Sequence, residues 1–369
     1  MNRIILIGNG FDLAHGLKTK YEHFINDFWN RKKEEVLGRQ GFNNDRRHGY
    51  TCYEDDTIRI KISHFNDDIA KVQRHLKNEW YKRLQMTAQN GYDWLETIKE
   101  PIRIGDIGSF ETIVEHKNVF LENISKRVSS RSWVDIEEEY YLALNRCLND
   151  ENGRLVERLN REFLFITNEL KNYLRRQVFV EMSELTGLRE NIYSDINPDT
   201  SLNKILFLNF NYTSTEKQYV SNDQQVSDVI HIHGDLENPD NPIIFGYGDD
   251  TGEEYRNIKN KNDNRYLENI KQTKYLETDN YEKLLRFVES DEYEMFIMGH
   301  SCGISDRVLL NKIFMHENCL SIKIFYHKRS HDSDDHSNII RNMLRNVADE
   351  ASLMKKIVSK NDSVPLGSR

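Results

Sequence analysis

The sequence predicts an α/β protein, a Rossmann-like parallel sheet flanked by helices and interrupted by a large inserted all-helical domain. Three observations carry this reading. Ile4-Ile5-Leu6-Ile7 is a continuous apolar run, as expected of a strand buried on both faces, and it ends at Gly8-Asn9-Gly10. Runs of the same kind return only after residue 200, at Ile205–Phe210, Val229–His233, Ile243–Tyr247, Glu294–Met298 and Ile322–Tyr326. Between them, from about Phe65 to Leu185, the apolar spacing becomes helical. Residues 1–29 and 200–350 then form one discontinuous α/β domain, residues 30–199 an inserted helical domain, and residues 351–369 a flexible C-terminal tail.

Taken in order, the first strand leads through the glycine turn into a helix that opens at Phe11-Asp12-Leu13-Ala14. A strand, a glycine-rich turn and a helix start leave backbone N–H groups free to hold a phosphate. The same residues serve equally as a tight structural turn, because Ala14 stands near the place of the third glycine of a dinucleotide fingerprint. Asp12 is a candidate sugar contact, or a cap for this helix. Residues 39–56 are polar and read as a loop. Ile58, Ile60 and Ile62 alternate with basic residues, as in a short strand or edge ribbon. Ile69, Val72, Leu76, Trp80 and Leu84 recur at helical spacing. Leu155, Leu159, Phe163, Ile166, Leu170, Leu174 and Val178 do so again over six turns. Such stripes are core material rather than cofactor contacts.

Composition narrows the function classes. The 369 residues carry 51 Lys and Arg against 60 Asp and Glu, a net charge of −9, which argues against a general nucleic-acid binder. Four scattered cysteines form no CxxC pair, consistent with a reducing compartment and no thiolate zinc cage. No run approaches the ~18 apolar residues of a membrane span, and the start is too short for a signal peptide. A cytoplasmic protein is the expectation.

The strand ends hold the chemistry-bearing residues. In an open parallel sheet the carboxyl ends of the strands line the ligand crevice. Asn209 and Asn211 flank Phe210 there, able to hold sugar hydroxyls or a water, or simply to satisfy backbone groups. His231 and His233 alternate, so both should face one side of a strand, with Gly234 turning the chain close to a ligand. His233, the last of the pair, is the better base. A third metal ligand at fixed spacing is missing, so no metal is expected. Gly299-His300-Ser301-Cys302-Gly303 matches G-x-S-x-G between a strand and a helix, the setting of a nucleophile elbow. Asp332 and His336 are the partners a serine hydrolase would need. The same turn could instead bind phosphate or ribose through Gly299 and Ser301.

These segments together resemble the AbiH family of phage abortive-infection proteins. The likeness rests on LIGNGFDLAHGLKTKYEHF at 6–24, WVDIEEEY at 133–140, LNFNYTSTE at 208–216, IHIHGD at 230–235, IFGYG at 244–248 and GHSCGISD at 299–306. It implies protection against phage by halting growth or killing the infected cell. More distantly, the elements are similar to a divergent sirtuin nucleotide-binding domain, through Gly8–Gly10, Asn211 with Thr213, His233-Gly234 and Gly299-His300-Ser301. Thr213 stands where the sirtuin pattern has Asp, and the sirtuin zinc module is missing. That likeness implies NAD as ligand or substrate, with Asn211 and His233 catalytic. Gly8, Asn9, Gly10, Asp12, Asn209, Gly234, Gly299 and Ser301 would bind the nucleotide. It further implies assembly into homo-oligomers and response to a phage or host trigger. A non-catalytic nucleotide sensor and a serine hydrolase are the alternative readings.

Overall fold

A computed structural model describes residues 1–38, 43–45, 50–63, 78–80, 82–83, 91–104, 108–126, 132–183, 190–196, 202–220, 226–248, 252–330 and 333–367. The chain divides into two compact units. The first comprises Met1–Lys20, Trp133–Asn160 and Leu174–Arg369, and the second Tyr21–Ser132 and Arg161–Tyr173.

The first unit is built on six parallel strands: β1 (Asn2–Ile7), β2 (Ile205–Asn209), β3 (Val226–His231), β4 (Tyr293–Met298), β5 (Cys319–Tyr326) and β6 (Val364–Pro365). Their order in the sheet is β6-β5-β4-β1-β2-β3, every pairing parallel. This is the doubly wound Rossmann order, in which the winding reverses between β1 and β4. Alternation sends Ile4 and Leu6 into one apolar layer and Ile5 and Ile7 into the other. All four are fully buried. That is why β1 reads as unbroken hydrophobicity, each side chain contributing about 1.5–3 kcal/mol on burial.

The register sets the site. Ile7 pairs with Met298 on one side and Asn209 on the other, and Asn209 pairs with His231. The polar residues that end the strands therefore stand in one row along the carboxyl edge.

Several expectations change. Strand β3 stops at His231, so His233 lies in the turn beyond it. Ile243–Tyr247 is not a strand. Its N–H groups go to three separate places, Ile244 to His233 O, Tyr247 to Asn269 O and Gly248 to Ser305 O, so no single neighbour offers a ladder. The second unit is not all-helical. Besides the helix Tyr21–Gly38 it holds an antiparallel four-stranded sheet of Asn43–Asp45, Tyr50–Glu54, Ile58–Ser63 and Thr112–His116. Two of those strands lie in the stretch read as a loop. Its face explains the mixed composition: Ile58, Ile60 and Ile62 are buried while Arg59 and Lys61 pair across the strands with Glu54 and Glu115. Residues 133–160 and 174–183, placed in the insertion by sequence, belong to the first unit. Of the first helical stripe, Ile69, Val72, Leu76 and Leu84 lie outside the described residues, and Trp80 is buried. In the second, Leu159 to Val178 are buried but Leu155 is exposed, and the helix Arg154–Tyr173 continues as a π turn over Leu174–Val178.

The expected flexible tail is instead a helix, Glu350–Lys356, followed by β6 on the edge of β5. Leu353 is fully buried, and the N–H of Leu366 donates to Tyr326 O at 2.8 Å. Residues 368–369 lie outside the description. Leu353→Ala is expected to lower unfolding stability by about 2–5 kcal/mol, as a buried leucine does when truncated. A urea midpoint indistinguishable from that of the parent chain would contradict an ordered tail.

Candidate functional site

Two buried polar networks occupy the carboxyl edge of the sheet, both within the first unit. The first starts from the loop after β2. The Asn209 side chain organises it. Its Oδ1 accepts the N–H of Asn211 at 2.7 Å, and its Nδ2 donates to Thr213 O at 2.9 Å and Glu216 Oε2 at 2.6 Å. The opposite oxygen of Glu216 meets His231 Nε2 at 2.9 Å. Glu216 thus ties together two residues that the strand register already sets opposite each other. Burial disfavours the His231 imidazolium, but the Glu216 carboxylate outweighs it and raises the histidine's pKa.

Asp12 lies in the same network. It is fully buried in the short helix Asn9–Ala14, and its oxygens accept hydroxyl hydrogen bonds from Thr213 at 2.6 Å and Thr215 at 2.8 Å. It caps nothing: the residue preceding the helix is Gly8, and no side chain caps that end. Burial raises the Asp12 carboxyl to about 6, against the pull of the two hydroxyls. Asn211 donates from Nδ2 to Gly8 O at 3.0 Å, fastening the β2 loop to the β1 turn. Asn9, half-buried, is the first helical residue.

The second network centres on Lys271, whose side chain is 1 % exposed. It reaches Asp306 Oδ1 at 2.7 Å and Glu137 Oε1 at 2.9 Å. Asp306 Oδ1 also stands 3.1 Å from His233 Nε2, which is 3.0 Å from Tyr275 Oη. His300 faces the other oxygen, Oδ2, at 3.6 Å through Nε2, while its Nδ1 accepts the N–H of Cys302 at 3.0 Å. The Phe210 ring touches both imidazoles, 4.9 Å from His233 and 4.4 Å from His300 between centroids. Burial would raise Asp306, but Lys271 and His233 outweigh it and hold the carboxyl well below its usual range. Glu137 goes the other way. Burial, with Asp306 adding repulsion, lifts it to about 7 despite Lys271. Burial and the nearby ammonium together depress His233 to about 4, so its ring is neutral at physiological pH.

His231 and His233 therefore do not act as a pair. The strand ends at His231, the alternation is lost, and each ring has its own carboxylate. Gly234 turns the chain with φ 93°, and a Cβ there would lie 2.2 Å from Pro242 O. At the winding reversal the β1 and β4 loops touch. The Gly10 N–H donates to Gly299 O at 2.7 Å, and Cβ atoms on Gly8 or Gly10 would come within 2.6–2.8 Å of the 299–300 backbone. The glycines serve close backbone approach there, and the N–H of Gly10 already has a partner.

Ser301 is exposed, and its carbonyl accepts from Asn342 Nδ2 at 2.8 Å. Among the described residues no imidazole bonds its hydroxyl. His336 Nε2 is buried without a partner there, and Asp332 lies outside the description. Four members of the second network, Glu137, Lys271, Tyr275 and Asp306, were not singled out from the sequence. Glu137 left a signal: it falls among Ile136, Tyr140, Tyr141 and Leu144 on the buried stripe of Trp133–Arg146, where a carboxylate needs a partner. Lys271 left none.

Two measurements check these networks. Lys271→Ala should cost about 3–5 kcal/mol, because it strands two buried carboxyls. Adding Glu137→Gln should recover part of that loss, and additive costs in the double-mutant cycle would show that the two are not coupled. For Asp12 the folded pKa lies above the unfolded one, so its contribution is complete below about pH 4 and is lost as pH rises through about 6. Asp12→Asn removes this dependence. The stability difference between parent and variant should shift in the variant's favour by up to about 3 kcal/mol from pH 4 to 7, and a flat difference would contradict the buried carboxyl.

Among the described residues no helix is long and apolar enough to cross a membrane. No curated protein matches the chain. The family model described as "Bacteriophage abortive infection AbiH" matches residues 4–328, a span that takes in β1 from Ile4 onward, β2 to β5 and every residue of both networks. The chain belongs to the AbiH family, and its role is in abortive infection of phage-attacked cells.

Proposed function

We propose that this AbiH-family protein is a defence effector that binds a nucleotide at the carboxyl edge of its sheet and cleaves NAD between nicotinamide and ribose. The observation that carries the reading is that the loops beyond the carboxyl ends of neighbouring strands, in a Rossmann order, hold Asn211 fastened to the β1 turn and a neutral His233 beside the Asp306 carboxylate. The sirtuin-like sequence of Gly8–Gly10, Asn211, His233-Gly234 and Gly299–Ser301 supports NAD over other nucleotides.

The chemistry asks for little acid assistance. As the glycosidic C–N bond breaks, its electron pair leaves with neutral nicotinamide, and the ribose carbon passes through an oxocarbenium-like state. A water oxygen bonds to that carbon and gives up a proton to His233. Asn211 orients the water or the ribose hydroxyls through amide groups that add no charge. Asp12 lies behind Thr213 and Thr215, whose hydroxyls it holds in place. With the Gly10 N–H already bonded to Gly299, the chain's groups are arranged for the ribose more than for the pyrophosphate.

Purified protein given NAD, with and without lysate from phage-infected cells, should release nicotinamide and ADP-ribose on chromatography. His233→Ala should reduce release by about 10²–10⁴-fold, the usual contribution of a general base, and Asn211→Ala should also suppress it, both with an unchanged circular dichroism spectrum. Nucleotide recovered bound and intact would move the assignment to a sensor. No binding and no turnover, with both variants still protecting cells, would overturn it.

A further inference from the structure

We infer that Asp306 is a positioning residue that fixes His233 with its proton on Nε2, leaving Nδ1 as the nitrogen that accepts the proton from water. The inference rests on the NAD-cleaving reading for its consequence, but its premise is geometric. Asp306 Oδ1 lies 3.1 Å from His233 Nε2, and the same oxygen accepts from the Lys271 ammonium at 2.7 Å. An ionised carboxylate only accepts hydrogen bonds, so the nitrogen facing it must be the one that carries hydrogen. The Tyr275 hydroxyl oxygen shares that N–H at 3.0 Å. Nδ1 has no hydrogen-bond partner among the described residues. A neutral imidazole with Nε2–H has its lone pair on Nδ1, and only that nitrogen can act as base.

The surroundings keep the arrangement in one state. The groups that face the Asp306 oxygens directly favour its anion: Lys271, the Nε2–H of His233, and His300, whose Nδ1 is already occupied by the Cys302 N–H and whose Nε2–H therefore points at Oδ2; the repulsion between Asp306 and Glu137 is borne by Glu137, whose carboxyl it raises. Glu137 takes the far side of Lys271, at 2.9 Å, so the ammonium is held from both sides and cannot swing onto the histidine. The parallel Tyr275 ring, 8° from the His233 plane with centroids 6.0 Å apart, and the Phe210 edge limit rotation of the imidazole. In the reaction the water O–H bond breaks, its electron pair forms the new bond to the ribose carbon, and its proton passes to Nδ1. The imidazolium is then stabilised by Asp306 until the proton leaves to solvent.

The test separates this inference from the reaction assigned to the site. Long-range ¹H–¹⁵N spectra of the full chain labelled at histidine nitrogens, with the His233 signals assigned by their loss in His233→Gln, report which nitrogen bears the proton whether or not NAD is cleaved. The expected pattern is a protonated Nε2 and a bare Nδ1, constant from pH 6 to 8. A protonated Nδ1, or a rapidly averaged pair, overturns the inference even if NAD is consumed. Asp306→Asn should shift the pattern towards the other tautomer and lower turnover on the order of 10³–10⁴-fold, with little change in KM, as when an orienting carboxylate becomes an amide. If that variant does not fold, Tyr275→Phe, which leaves Asp306 in place, should retain the Nε2–H pattern. Its loss there would assign the tautomer to the tyrosine and overturn the role of Asp306.

Discussion

The ammonium of Lys271 is the interaction on which the rest of the site depends. One buried cation lies between Glu137, from the helix Trp133–Arg146, and Asp306, just ahead of the helix Arg307–Met315. Neither carboxyl could stay ionised at that depth without a counter-charge, and the ammonium could not either. The charges divide unequally. Asp306, which also gathers imidazole N–H groups, keeps its anion, whereas Glu137 sits near the point of holding a proton at neutral pH. A cluster so arranged is a poor source of net stability compared with apolar packing, yet it permits one placement of the groups around His233. Specific geometry, more than added stability, is what it supplies.

The two networks divide the labour of the strand-end row. Around Asn209 and Glu216, amide, carboxylate and imidazole bind one another and give the loop after β2 its shape, with His231 Nδ1 buried and unpartnered among the described residues. Around Lys271 the groups are paired as well, and among the described residues the nitrogen left without a partner there is Nδ1 of His233. Asn211 belongs to the first network through the Asn209 side chain and reaches the β1 turn through Gly8. Phe210, between the two asparagines in sequence, carries its ring to both histidines of the second network. Three consecutive residues at a strand end thus serve both sets.

How much of this was legible follows from what each signal measures. Apolar runs report burial on both faces, and they located β1, β2, β4 and β5 to within a few residues. They failed at PIIFGYG, which is buried but hydrogen-bonded to three different segments, because burial alone does not specify a ladder. In the second unit the alternation of Ile58, Ile60 and Ile62 did mark the strand Ile58–Ser63, but its partners Asn43–Asp45, Tyr50–Glu54 and Thr112–His116 alternate too briefly among charged residues to stand out. The polar row at Asn209 and His231 was legible because a parallel sheet brings the residues that end its strands to one carboxyl edge. The ion cluster was not, apart from the carboxylate on an apolar helix face at Glu137. Lys271 follows Ile270 in a polar stretch, and its burial is decided by Glu137 and Asp306, 134 and 35 residues away in sequence.

The placement of β1 also bears on when the sheet and its ion cluster can close during the protein's own synthesis. Strand β1 is made first and sits at the centre of the sheet, but its two neighbours are β2 and β4, ending at Asn209 and Met298. From Ile7 to Met298 is 298 − 7 = 291 residues. At a synthesis rate of about 5–20 residues per second that interval is roughly 15–60 s, during which this fully buried strand lacks part of its sheet. Asp306 follows still later, so the ion cluster closes only after the central sheet can. A growing chain that has not yet reached Asp306 therefore cannot close the ion cluster around Lys271.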